Sequence, residues 1–192
     1  MIASEGDPKM RYYHCSPSHG LSLLQPQKPK AFDKSAQVYM TTLLPMALMY
    51  SVRNYEYTYG YTEDGRIYFA EYFPNALEIL YRGRQASLYL CDPPFTASTE
   101  IPNEVICSAE VPIVNETFIP DACEALLEQE RAGTLLIYRY HQLSSAMLDW
   151  IRQVQIKEIL ENGLLNASGP KADYYRTHYP ESWALAAESL RE

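Results

Sequence analysis

Two short segments near the start of the chain hold residue types that could do chemistry. Residues 14–20 read H-C-S-P-S-H-G, and residues 38–50 read V-Y-M-T-T-L-L-P-M-A-L-M-Y. In the first, His14, Cys15 and His19 carry donors that suit zinc. Adjacent strand residues point to opposite faces, however, and no second cluster completes a four-ligand shell, so no metal is expected. A Cys–His hydrolase would need a lowered Cys15 pKa and a histidine brought up by the fold. Neither is visible in the sequence, which leaves His14 standing alone on a strand end before a turn. In the second segment, the ring of Tyr39 suits either strand packing or the wall of a cleft that stacks a flat ligand. Thr41 and Thr42 supply hydroxyls that either meet a ligand or cap the following helix. No G-x-G-x-x-G, G-x-x-x-x-G-K-[ST], H-E-x-x-H or G-x-S-x-G motif is present, which removes several common enzyme classes.

The elements that must position these residues follow from pattern. Residues 11–15 (RYYHC) have the aromatic bias of a first strand, and S-P-S-H-G turns the chain. A polar loop leads to a second strand at 37–42, after which Pro45 opens a helix carrying Met46, Leu48, Met49 and Val52. A hairpin is expected over 55–73, with Asp64-Gly65 at its turn. A short helix over 75–82 follows, with Asn75 as N-cap and Gly83 as stop. Residues 86–91 (ASLYLC) form a strand, 104–114 one or two more, and 134–140 another. Helices are expected from Pro120 to Gly133 and from Ser144 or Ser145 to Gly163, with a small one around 183–190. Strands mostly precede the long helices instead of alternating with them. The expected fold class is therefore α+β, with a mixed or antiparallel split β-sheet flanked by helices.

Residues 1–9 read as a flexible tail, 10–165 as one α+β domain and 166–192 as a C-terminal extension with a short helix. A chain of 192 residues with 47% hydrophobic and 21% charged residues can bury a core. No apolar run reaches the roughly 18 residues that span a bilayer, and the first residues lack a secretory pattern, so a cytoplasmic protein without a membrane partner is expected. Four dispersed cysteines suit buried free thiols better than a disulfide framework. A net charge of −8 offers no extended nucleic-acid surface. The cluster Lys28, Lys30 and Lys34 reads as a solvated loop beside Pro26 and Pro29. The 17 tyrosines suit half-buried strands and cleft walls, where some would face a flat ligand.

A first strand ending in His and a small polar residue, a Pro/Gly loop, then a second strand with Tyr and Ser/Thr running into a helix resembles the ADP-ribosyltransferase-like superfamily. Members open with His-Gly-Ser or His-Gly-Thr where this chain has His14, Cys15 and Ser16. The likeness is to the His-Tyr-Glu branch and covers roughly residues 11–140. The stretch 120–140 and the T-H-Y-P-E-S-W near the end are similar to small bacterial and phage proteins of this type. The resemblance implies that His14 holds the nicotinamide ribose and orients the amide. It also implies that Tyr39 and Tyr50 flank the ring, that Thr41 and Thr42 follow the second strand, and that a late-strand glutamate assists transfer. Glu104 is the match for that glutamate and Glu110 its rival. NAD is then the cofactor, used as substrate, and an unidentified protein or nucleic acid is the acceptor. The alternative is an inactive module of the same fold that binds a nucleotide or a protein.

Overall fold

The computed structural model describes residues 10–28, 35–52 and 57–190. The tail assigned to residues 1–9, the start of the hairpin at 55–56, and Lys30 and Lys34 lie outside the described residues. The fold is α+β. In chain order, the strands are β1 (Tyr12–Ser16), β2 (Leu23–Leu24), β3 (Val38–Thr41), β4 (Tyr57–Tyr61), β5 (Ile67–Glu71), β6 (Ala86–Cys91), β7 (Ala97–Ser98), β8 (Glu104–Cys107), β9 (Val111–Ile119) and β10 (Leu135–Tyr138). The helices are α1 (Leu44–Met49), α2 (Ala76–Tyr81), α3 (Ala122–Arg131), α4 (Ser145–Glu161), α5 (Pro170–His178) and α6 (Pro180–Ser189). Among the described residues no helix is long and apolar enough to cross a membrane.

The chain divides into two compact units. One takes Met1–Tyr55, Gly60–Tyr68 and Leu77–Leu136, the other Glu56–Tyr59, Phe69–Ala76 and Ile137–Glu192.

The first unit is built on a seven-stranded sheet in the order β2-β9-β6-β1-β3-β8-β7. Its ladders are antiparallel. Register explains the sequence pattern. β6 lies in the middle, paired on both sides, and reads as the near-continuous apolar run A-S-L-Y-L-C because both of its faces are covered. In β3 and β8, Val38, Met40, Val105 and Cys107 turn to a core shared with Leu24, Tyr89, Cys91 and Val111. Tyr39 and Thr41 pair with Ile106 and Glu104, on the opposite face. α1 starts with Pro45 in its first turn and buries Met46, Leu48 and Met49. The buried Tyr81 hydroxyl donates to the Met49 carbonyl (2.7 Å) and ties the end of α1 to α2.

The second unit contains α4, α5 and α6. Ser144 caps α4, its hydroxyl accepting from the Met147 N–H (3.2 Å). Ile151, Ile159, Leu164, Tyr175, Tyr179 and Ala186 fill its core. The buried Gln155 is satisfied there: Ser182 donates to its Oε1 (2.6 Å) and its Nε2 donates to the Tyr72 carbonyl (3.1 Å). The small helix expected near 183–190 is one of two, because Gly169-Pro170 opens another turn of chain, α5, directly before it.

Three details differ from the sequence reading. Asn75 sits at φ 61°, a left-handed turn residue and not the extended N-cap expected of it. Val52 lies beyond the end of α1. β2 and β7 were not expected, since a two-residue strand has no period of its own and exists through its partner.

Candidate functional site

β1 pairs with β6 over five residues and β3 with β8 over four, but β1 and β3 meet each other at a single described pair, Tyr13↔Thr41. Past that pair the sheet is notched. The His14 ring bridges the notch, its Nδ1–H donating to the Tyr39 carbonyl at 2.9 Å and replacing a ladder bond. That bond fixes the tautomer with Nδ1 protonated and leaves Nε2 as an acceptor. Burial pulls the His14 pKa below its ordinary 6.5, against the opposing effect of the Tyr39 carbonyl, so the ring is neutral near pH 7.

A cavity of about 360 Å³ opens at this notch, and His14, Tyr39, Thr41, Tyr50 and Glu104 all line it. The five residues come from β1, β3, the end of α1 and the start of β8, up to 90 positions apart in the chain. Tyr13 and Met46 line it as well. Sequence reasoning missed both. Tyr13 stands beside His14 with nothing to separate it from its neighbour Tyr12, and Met46 reads as an ordinary core residue of α1. No lysine or arginine lines the cavity among the described residues. The walls are aromatic and sulfur-rich, with one carboxylate.

Each wall is held by local bonds. Thr41 is 3% exposed; its hydroxyl accepts from the Leu43 N–H (3.0 Å) and donates to Met46 Sδ (3.2 Å). Thr41 therefore sets the entry into α1 and offers the cavity no free proton. Thr42 does not line the cavity. Its N–H donates to the Asn103 carbonyl (3.0 Å), and its hydroxyl donates to Asn103 Oδ1 (3.2 Å). Asn103, at φ 64°, turns the chain into β8, and its side-chain amide donates to the Tyr61 hydroxyl (3.1 Å). Tyr61 in turn donates to the Pro102 carbonyl (2.8 Å). Glu104 thus sits on a turn pinned from two sides. Thr99 donates to its Oε1 at 2.9 Å, and Oε2 has no hydrogen-bond partner among the described residues. Glu110 is exposed in the connection between β8 and β9 and lines no part of the cavity.

Of the other donors in H-C-S-P-S-H-G, Cys15 lines the cavity and His19 does not. Cys15 is buried at the cavity wall, and desolvation pushes its thiol up to about 12, the reverse of an activated nucleophile. His19 hydrogen-bonds the fully buried Ser87 through Nδ1 (2.7 Å), and Ser87 donates to Glu116 (2.5 Å). Glu116 also accepts from the Gly20 N–H (3.0 Å). This chain of bonds fastens the loop after β1 to β6 and β9. No group of three or more potential ligands is arranged to hold a metal ion among the described residues.

No family model matches the chain, and no curated protein matches it.

Proposed function

We propose that the cavity binds the nicotinamide end of NAD and that the protein transfers ADP-ribose to an acceptor, on a sheet split in the manner of ADP-ribosyltransferase-like proteins. The observation that carries this reading is the meeting of His14, Tyr39, Tyr50 and Glu104 around one cavity. Its chemistry supports a flat cation. Tyrosine faces and a carboxylate attract positive charge, and the nicotinamide ring of NAD carries one. A volume of about 360 Å³ is at the low end of ligand clefts, which run to roughly 300–1,000 Å³, and suits a nucleoside-sized fragment.

In this reading, Tyr39 and Tyr50 hold the ring, and neutral His14 accepts a hydrogen bond from a ribose hydroxyl at Nε2. The bond between ribose C1′ and the nicotinamide nitrogen breaks, its electron pair leaving with neutral nicotinamide. Positive charge then develops on the ribose, where the Glu104 carboxylate stabilises it. The acceptor nucleophile forms the new bond to C1′, and its proton passes to Glu104 or to water.

The test is nicotinamide release followed by calorimetry. Glu104→Gln is expected to lower release by roughly 10²–10³-fold, as for removal of one electrostatic stabiliser, with a much smaller loss of NAD affinity. Unaltered turnover in that variant removes Glu104 from the mechanism. NAD or ADP-ribose bound without any nicotinamide release makes the protein a binding module, and no binding at all overturns both readings.

A further inference from the structure

A second concavity, an open groove of about 750 Å³, adjoins the first and shares two of its walls, Tyr39 and Glu104. Its other side is the turn that leads from β7 into β8, with Thr99, Glu100 and Ile101. Ser98 of β7, Ile106 of β8 and Gln37 complete the part that matters chemically. Two carboxylates, Glu100 and Glu104, face it, and no lysine or arginine lines it among the described residues. Such a groove repels phosphate. The diphosphate of a dinucleotide and the backbone of a nucleic acid would each meet negative charge there, with no compensating cation among the described residues.

We propose that this groove seats a basic peptide segment of a protein, and, resting on the transferase reading above, that this protein is the acceptor. Three features point to a peptide. Charge complementarity asks for lysine or arginine opposite Glu100 and Glu104. The Ser98 hydroxyl and the Gln37 amide provide hydrogen bonds of either sense, as a main chain requires. Among the described residues β7 is the last strand of its sheet and both its residues are exposed, so its outer edge suits an extended segment. Ile101, Ile106 and the 37%-exposed Tyr39 add apolar surface for an aliphatic side chain or for the stem of a lysine. Because Tyr39 and Glu104 belong to both concavities, a side chain lying in the groove ends beside the cavity where ribose C1′ would stand.

The experiment is fluorescence anisotropy on the full chain with three labelled probes: an arginine- and lysine-rich decapeptide, its glutamate-substituted counterpart and a single-stranded oligonucleotide. Only the basic peptide is expected to bind, with affinity that falls as salt rises. Glu100→Lys, an exposed loop substitution whose fold is checked by circular dichroism, should weaken that peptide at least about fivefold, while Glu110→Lys, outside the groove, should change it less than about twofold. Peptide binding is read without NAD, and Tyr50→Ala, on the cavity side only, should leave it intact. A failed nicotinamide assay with peptide still bound therefore removes the transferase reading and keeps the groove. Oligonucleotide binding, no peptide binding, or equal effects of the Glu100 and Glu110 changes overturns the proposal.

Discussion

At the residue scale, His14 is the side chain whose protonation matters most to the site. Its Nδ1–H is committed to the Tyr39 carbonyl, so a further proton can go only to Nε2, the atom assigned to the ligand. Burial holds its pKa below 6.5, and the unfolded chain therefore takes up this proton first as pH falls. Stability is accordingly full above about pH 6.5 and declines as pH drops through that value toward the lowered one, whereas ligand binding weakens only as pH reaches the lowered, folded-state value. NAD affinity titrated by calorimetry should be flat on the neutral side and weaken on the acid side, and His14→Ala should lose this acid limb. An unchanged profile in that variant would assign the proton to another group. The family resemblance singled out an imidazole, two tyrosines and a carboxylate, and all four line one cavity. What the residues themselves did not reveal is that Thr41 spends its hydroxyl on Met46 and Leu43, because side-chain bonding depends on the turn the backbone takes there.

Elements explain how so few residues are brought together. The notch arises because β1 and β3 are each zipped to an outer neighbour, β6 and β8, but touch one another at one pair. β6 was readable in full from its apolar run, whereas β7 and its turn were not, and that turn fixes Glu104. Capping supplies the other firm constraint. Asp121 accepts from the Cys123 and Glu124 N–H groups (2.9 and 3.2 Å) at the start of α3 and from the Gly83 N–H (3.1 Å) just past α2. Replacing Asp121 by Ala should cost about 1–2 kcal/mol, since it removes an N-cap and a second tie together. Thermal unfolding would register this as a fall in Tm of roughly 2–8 °C, taking about 2–4 °C per kcal/mol at this size. Asp121→Asn, which keeps the cap oxygen, should recover most of it; a loss as large as alanine's would mean that the carboxylate's charge and not its cap bond is the source.

At the scale of the whole molecule, all four cysteines are free and buried. Burial pushes the Cys15 and Cys91 thiols to about 12. A thiol reagent at neutral pH should leave the native protein almost unlabelled and modify four groups after denaturation; rapid native labelling of any one would show that its cover opens on the time scale of the reaction. The sequence by itself determined the α+β class, the long helix α4 with a cap at Ser144 or Ser145, and the strand β6. These are local matters, decided by hydrophobic period, caps and turn residues within a few positions of each other. Only the tertiary structure decided that His14, Tyr39, Tyr50 and Glu104 surround one space, that His19 turns to Ser87, and that a second, anionic groove shares two walls with the first. Those outcomes depend on strand order and register between segments tens of residues apart, and no local preference encodes which strands will lie side by side.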